Sequence, residues 1–233
     1  MKWDKFVSLK GELEAEGLPH NVIAAEALYA ARQGLPYLVK IGGCEAKSDM
    51  RFLLEIGIGS IVAPMIESAF AMRKYQEMLP EGGFHHVGVT IETIDAVQRI
   101  EAILDAGSKL TEVTIGRHDL TDSFGGSGVD SAETIAHVKT VARAAATRGL
   151  PVTMGGSVNK KTRELLSSDE ELRELVDCVE TRKVVMRVAD FLEEGVLEAA
   201  IDVELDLLGR LVRGPRETVT GSDARARAIR ERL

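Results

Sequence analysis

Two acidic side chains hold corresponding places in the stretch GVTIETIDAVQRIEAILDAGSKLTEVTIGRHDL, residues 88–120. Glu92 ends one short apolar run, and Asp119 follows the next apolar run. If these runs are neighbouring parallel strands, two like charges meet, which is unfavourable unless one is protonated or a cation lies between them. Mg²⁺ and Mn²⁺ prefer oxygen ligands, so the pattern is compatible with a divalent metal at Glu92 and Asp119. The alternative is that Glu92 caps the following helix and Asp119 starts a turn.

The first of these runs, HVGVTIET at residues 86–93, alternates across the pleat of a strand. Gly88, Thr90 and Glu92 share one side, so small residues lead up to the carboxylate and leave room beside it. If the next strand stays extended as far as Asp119, Arg117 points the same way as Asp119.

Short β-branched runs alternate with segments of helical periodicity along most of the chain, which predicts βαβ units. Seven strands are predicted, within LKGELEAEG, YLVKIGG, SIVAPM, HVGVTIET, LTEVTIG, PVTMGGS and DCVETRKVVM. Parallel crossovers leave an open doubly wound sheet or a closed barrel. We favour the α/β class with a (β/α)8 TIM-type barrel and one missing or degenerate strand, because candidate site residues end at least four successive strands.

The chain is predicted to form a single barrel domain over residues 1–214, followed by a charged tail over residues 215–233 that takes no part in chemistry. Residues 187–212 read as one long amphipathic helix. The apolar face of this helix exceeds what one barrel wall needs, so we expect it to pack against a neighbouring subunit in a homo-oligomer.

The charge and composition of the chain argue against several classes of protein. A formal net charge of -8, with no Lys/Arg block before the tail, opposes a nucleic-acid partner. No apolar stretch reaches the ~20 residues of a membrane span, and the N-terminus lacks the apolar region of a signal peptide, so a cytoplasmic protein is expected. Cys44 and Cys178 are far apart and predict neither a disulfide framework nor a zinc site.

Three stretches, VAPMIES, VTIET and IGRHDLTDSFG, resemble the HpcH/HpaI aldolase and citrate lyase β-subunit family, which carries similar motifs in this order. The resemblance covers Leu38 to Gly125 and continues more weakly through Met186. It implies a modified barrel with an exchanged C-terminal helix, and Mg²⁺ or Mn²⁺ held by Glu92 and Asp119. It further implies carbon–carbon bond chemistry on small 2-oxoacid and aldehyde substrates through a 2-oxoacid enolate.

The resemblance also implies that backbone N–H groups of two loops bind the substrate. The candidate residues are Gly116, Arg117 and His118 in GRHDL, and Gly155 and Gly156 in GGSV. A plain turn is the alternative for the glycine pair. The side chain of His118 is expected to point away from the metal and to have a structural role.

Two departures from the family pattern affect the catalytic residues. Lys40 stands where the family has an arginine that binds substrate oxygens, and lysine lacks the bidentate fork. Our hypothesis is that Arg117 restores the missing guanidinium. No histidine aligns with the general base of the family, so Glu14, Glu16 and His20 in LEAEGLPHN are the acid–base candidates, with a solvated loop as the alternative.

Two other functions remain open at this stage. One is a citrate-lyase-like acyl-CoA lyase or thioesterase, against which the sequence shows no evident basic patch for the phosphates of CoA. The other is a catalytically inactive barrel that binds a metabolite. Glu180 and Arg182 share one face of the last predicted strand, and we interpret them as a structural ion pair.

Overall fold

The computed structural model of the protein describes residues 2–212 and 227–232. Residues 215–226 of the predicted tail therefore lie outside the described residues, as does Leu233. The strands are β1 (Ser8–Glu12), β2 (Tyr37–Lys40), β3 (Ser60–Ala63), β4 (His86–Ile91), β5 (Glu112–Gly116), β6 (Val152–Gly155), β7 (Cys178–Glu180) and β8 (Val184–Arg187).

The helices, after a short 3-10 turn at Trp3–Lys5, alternate with most of the strands. They are α1 (His20–Arg32), α2 (Lys47–Glu55), α3 (Ala69–Met78), α4 (Ile94–Gln98), α5 (Ile100–Asp105), α6 (Arg117–Ser123), α7 (Ala132–Ala146), α8 (Lys160–Ser168), α9 (Glu170–Leu175), α10 (Val188–Phe191) and α11 (Val196–Val212).

The strands close into a barrel in the order β1 to β8, which confirms the predicted α/β barrel. From β1 to β7 each strand pairs with the next in parallel. The carboxyl ends of these strands therefore surround one mouth, as in other (β/α)8 proteins. The last strand, β8, runs antiparallel to both of its neighbours, β7 and β1.

The prediction that DCVETRKVVM is one strand is wrong, because this stretch folds as the β7–β8 hairpin. Glu180 pairs with Val185, and the turn is fixed by Thr181, whose N–H donates to the carbonyl of Val184 and whose hydroxyl accepts from the Val184 N–H. This division supplies the eighth strand that a count of seven lacked. It also places the hairpin turn at the mouth of the barrel.

The inside of the barrel is apolar over only a short depth. Leu38, Val62 and Val185 form a small buried cluster on the inner face. The larger core lies between the outer face of the strands and the surrounding helices. Strand residues alternate between the two faces. On the inner face, between the apolar cluster and the mouth, the strands carry polar side chains such as Lys10, Glu12 and Lys40.

The single long helix predicted over residues 187–212 is two helices, α10 and α11, separated at Gly195, whose φ is +77°. Phe191, Leu197 and Ile201 are fully buried against the barrel of the same chain. The apolar face of this segment therefore gives no argument for a neighbouring subunit, and the homo-oligomer stays a prediction. In the part of the chain that the structure describes, no helix combines the length and apolarity needed to cross a membrane.

Candidate active site

The mouth formed by the carboxyl ends of β1 to β7 holds a cavity of about 800 Å³. The polar and charged side chains that line it include Lys10, Glu12, Lys40, Thr90, Glu92, His118, Asp119, Lys160, Lys161, Glu180 and Arg182. One wall is the helical turn at residues 227–232, so part of the tail that we expected to be remote from chemistry lies beside this cavity.

Glu92 follows β4 and is 3% exposed, with both carboxylate oxygens hydrogen-bonded. Oε1 accepts from the backbone N–H of Met65 at 2.9 Å, and Oε2 accepts from Nζ of Lys40 at 3.3 Å. Met65 has φ 52°, a left-handed conformation that is unfavourable for a side chain and is often found at functional sites. Thr93, not Glu92, caps α4 by accepting from the N–H of Ala96, which removes the capping interpretation of Glu92.

Burial is the main cause that raises the pKa of the Glu92 carboxyl above its ordinary value. The ammonium of Lys40 and the N–H of Met65 oppose this shift, and the charge of Asp119 adds to it. The structure therefore brings Glu92 and Asp119 into one cavity, close enough for their charges to interact. Asp119 reaches the cavity from α6 and is exposed to it, whereas Glu92 lies on the inner wall.

The expectation that β5 stays extended as far as Asp119 is wrong. The strand ends at Gly116, and Arg117 begins α6, so Arg117 and Asp119 do not point the same way. Asp119 reaches the mouth because it lies in the first turn of this helix.

Arg117 is fully buried and does not line the cavity. Its guanidinium donates to Asp130 at 2.5 Å, to the carbonyls of Gly155 and Gly156 at 3.0 Å each, and to the hydroxyl of Thr162 at 3.2 Å. The geometry thus contradicts the hypothesis that Arg117 offers its guanidinium to a substrate. This side chain ties the start of α6 to the loop after β6.

The donor set fits a hard divalent cation, because two carboxylates of different burial face one cavity and carboxylate oxygen is the preferred ligand of Mg²⁺ and Mn²⁺. Within residues 2–212 and 227–232 no group of three or more His, Cys, Asp or Glu side chains surrounds one point. The described residues therefore offer two carboxylate ligands at most, and the remaining coordination positions would be left to water and substrate.

A further set of charged side chains extends from Glu92 around the inner wall of the mouth. Nζ of Lys10 is 2.5 Å from Oε1 of Glu180 and 3.2 Å from Oε1 of Glu12. Lys40 bridges Glu92 and Glu14 at 3.3 Å each. The charges of both lysines lower the pKa of Glu12 against the effect of its burial. Around the inner wall, carboxylates and ammonium groups therefore alternate, in the order Glu180, Lys10, Glu12, Lys40 and Glu92.

Two glycines form the floor between Glu92 and Glu180. Gly116 and Gly155 are register partners on β5 and β6. A methyl group on Gly116 would lie 2.9 Å from Oε2 of Glu92, and one on Gly155 would lie 2.8 Å from Oε1 of Glu180. Glycine at both positions lets the two carboxylates lie over the strands.

Gly156 lines the cavity and also forms a turn. Its φ is +81°, and a side chain there would come within 2.5 Å of the backbone nitrogen of His118 and 2.7 Å of that of Arg117. The loop after β6 therefore packs directly on the start of α6. The side chain of His118 is exposed and lies 3.7 Å from Asp122.

The predicted acid–base candidates of the first loop do not meet in the cavity. Glu16 pairs with Lys183 of the β7–β8 turn at 2.6 Å, its side chain is fully buried, and it does not line the cavity. His20 stacks on Phe52 with ring centres 4.0 Å apart, and it does not line the cavity. Of this group only Glu14 approaches the site, through Lys40.

Sequence reasoning missed Lys10, Glu12 and Glu180 as site residues. The partner of Glu180 is Lys10 and not Arg182, so the predicted Glu180–Arg182 pair is wrong. The signal was present in SLKGE, where alternation puts Lys10 and Glu12 on one face of a buried strand, where charged residues are rare.

Comparison with known proteins identifies the family. The family model described as HpcH/HpaI aldolase/citrate lyase matches residues 43–161. A search of curated proteins gave no match.

Solved structures share the fold at low sequence identity. An HpcH/Hpal aldolase/citrate lyase family protein from Burkholderia cenocepacia J2315 is 14% identical, with a TM-score of 0.62 over 84% of each chain. An HpcH/HpaI aldolase from Desulfitobacterium hafniense DCB-2 is 16% identical, with a TM-score of 0.61 over 90% of this chain and 85% of that one. Citrate synthase SbnG is 12% identical, with a TM-score of 0.64 over 89% of this chain and 86% of that one.

Removal of the carboxylate that pairs with Arg117 should destabilise the fold. We expect Asp130→Asn to lower the free energy of unfolding by about 3 kcal/mol, because it leaves a buried guanidinium without its counter-charge. Urea unfolding measures this change. Asp95→Asn is the matched control, since the Asp95–Arg99 pair is exposed at 3.7 Å and should contribute under about 1 kcal/mol. Equal losses in the two variants would contradict a structural role for Arg117.

Alanine at either floor position should disturb the carboxylate above it. We expect Gly116→Ala and Gly155→Ala each to lower the free energy of unfolding by about 1–3 kcal/mol, because the new methyl group overlaps Glu92 or Glu180. Gly209→Ala is the control, since it meets open space inside α11 and should raise stability by up to about 1 kcal/mol. If both floor variants match Gly209→Ala in urea unfolding, the packing described for the floor is wrong.

Proposed function

Because the chain belongs to the HpcH/HpaI aldolase/citrate lyase family, we propose that it is a divalent-metal-dependent carbon–carbon lyase acting on a pyruvate-like 2-oxoacid through its enolate. The observation that carries this proposal is the meeting of Glu92 and Asp119 in one cavity at the mouth of the barrel. Mg²⁺ or Mn²⁺ is the proposed cofactor, and an aldehyde is the proposed second substrate or product.

Glu92 and Asp119 would hold the cation, which when bound supplies an electron sink for the 2-oxo group. Their different environments suit this task. The buried Glu92 is fixed by the Met65 N–H and Lys40, whereas Asp119 is exposed to the cavity and free to adjust.

Lys40 supplies a fixed positive charge beside the substrate. Burial lowers the pKa of Lys40, but the charges of Glu92, Glu12 and Glu14 outweigh burial and place it above its ordinary value. The ammonium therefore stays protonated and can donate to the carboxylate or the developing enolate oxygen of a 2-oxoacid. It binds as a point charge, so it fixes position less strictly than the arginine of the family pattern.

A specific observation also favours a second candidate, an acyl-CoA lyase. Lys160 and Lys161 at the start of α8 and Arg182 in the β7–β8 turn all line the cavity. The sequence showed no basic block because these residues come from separate segments. Their charges suit the phosphates of CoA, although each is also suited to a carboxylate on a smaller substrate.

Proton exchange tests the first candidate without knowledge of the aldehyde. In deuterated water, the protein with Mg²⁺ or Mn²⁺ should exchange the methyl protons of pyruvate, because formation of the enolate removes a proton from that carbon. We expect Glu92→Gln and Asp119→Asn to lower the exchange rate about 100-fold or more. Proton NMR measures the rate.

Glu67→Gln is the matched control, because Glu67 also follows a barrel strand but does not line the cavity, and its exchange rate should stay at the wild-type value. Absence of exchange with every 2-oxoacid tried, together with cleavage of an acyl-CoA substrate, would replace the first candidate with the second.

A further inference from the structure

The carboxylate of Glu180 lies across the glycine floor from Glu92. Glu180 ends β7, is 7% exposed and lines the cavity. Its two oxygens differ in their surroundings. Oε1 accepts from Nζ of Lys10, whereas Oε2 is buried and has no hydrogen-bond partner among the described residues. A buried carboxylate oxygen without a partner is unfavourable unless a ligand or a proton satisfies it.

The floor defines where a small substrate fits. Gly116 and Gly155 are register partners, and the carboxylates of Glu92 and Glu180 lie over them and line the same cavity. A molecule bound at Glu92 in this cavity therefore lies beside Glu180.

The other acids of the cavity are less suited to carry a proton in the reaction. Glu92 and Asp119 are the proposed metal ligands. Glu12 is paired with Lys10, and the charges of Lys10 and Lys40 lower its pKa, so it stays ionised. Glu14 and Glu231 are exposed, and Glu14 pairs with Lys40.

The charges that face Glu180 allow it to hold or release a proton. Burial raises its pKa most, Lys10 from β1 lowers it, and Glu12 from β1 and Glu112 from β5 raise it further. The net result is a pKa above the ordinary value. Lys10 itself keeps its proton, because the charges of Glu180 and Glu12 outweigh the effect of its burial.

From this geometry we infer that Glu180 is the acid–base residue of the lyase reaction and that Lys10 is its positioning residue. The inference rests on the function proposed above. In the cleavage direction, the carboxylate of Glu180 takes the proton from the hydroxyl of the aldol adduct while the carbon–carbon bond breaks. The aldehyde leaves, and the bonding electron pair forms the enolate of the 2-oxoacid. Glu180 then returns its proton to the enolate carbon, which becomes the methyl group.

The test is methyl-proton exchange of pyruvate by Glu180→Gln with Mg²⁺ or Mn²⁺ present. We expect the exchange rate to fall about 100-fold or more, the usual effect of removing a general base, while the dissociation constant for pyruvate changes less than about threefold. Titration calorimetry measures the dissociation constant. Glu67→Gln again serves as the control and should keep the wild-type rate.

A pH profile separates an acid–base role from a structural one. In wild type the exchange rate should rise with pH as Glu180 loses its proton. Lys10→Met removes the charge that lowers the pKa of Glu180, so this rise should move to higher pH. The double variant Lys10→Met/Glu180→Gln removes one buried charge of each sign and leaves Glu12 the charge of Lys40, so it should fold and remain inactive even if Glu180→Gln alone is unstable.

The possible outcomes are distinct. Exchange at the wild-type rate in folded Glu180→Gln or in the double variant, with Glu92→Gln inactive, would overturn the role of Glu180 and leave the proposed function intact. An unshifted pH profile in Lys10→Met would overturn the positioning role of Lys10. If wild type itself shows no exchange with any 2-oxoacid, the proposed function fails and the role of Glu180 fails with it.

Discussion

The site depends on a row of alternating charges buried in the mouth of the barrel. Each of Glu180, Glu12 and Glu92 faces a lysine, and each of Lys10 and Lys40 lies between two acids. Isolated charges at this depth would be strongly unfavourable, so the five side chains stabilise one another through these pairs. These ion pairs fix the position of the five side chains at the mouth of the barrel.

Closure of the barrel decides which residues belong to this row of charges. Because β8 runs antiparallel, the chain turns back at the mouth immediately after Glu180. The same turn carries Arg182 to the rim, and β8 then pairs with β1 so that Lys10 faces Glu180. An eighth parallel strand would need a long crossover and would leave no hairpin turn at the mouth. The unusual strand thus completes the barrel and forms the wall opposite Glu92.

The second constraint is the close packing between α6 and the loop after β6. Arg117 binds the carbonyls of Gly155 and Gly156, and Gly156 touches the backbone of Arg117 and His118. These contacts orient α6 so that Asp119 faces the cavity. An arginine that looked like a substrate ligand is therefore part of the frame that holds a candidate metal ligand in place.

Much of the barrel and part of the site were accessible from the sequence. Local alternation and periodicity predicted most strands, and the acids that end or follow two successive runs predicted that Glu92 and Asp119 meet, because parallel strands end at one mouth. The partners of the remaining charges could not be read in this way. The direction of the Arg117 side chain was predicted wrongly because β5 ends at Gly116, so the alternation of a strand does not extend to Arg117. Glu180 was assigned the wrong partner because Lys10, which lies far away in the chain, is its neighbour only after the barrel closes.

The sequence by itself determined the class of fold and the position of the two carboxylates, since both follow from short-range patterns along single strands. Only the tertiary structure decided the direction of the last strand, the pairing of Lys10 with Glu180 and the glycine floor between Glu180 and Glu92. The physical reason is that buried charges are placed by the counter-charges they face across the barrel, and these contacts join residues as far apart in the chain as Lys10 and Glu180.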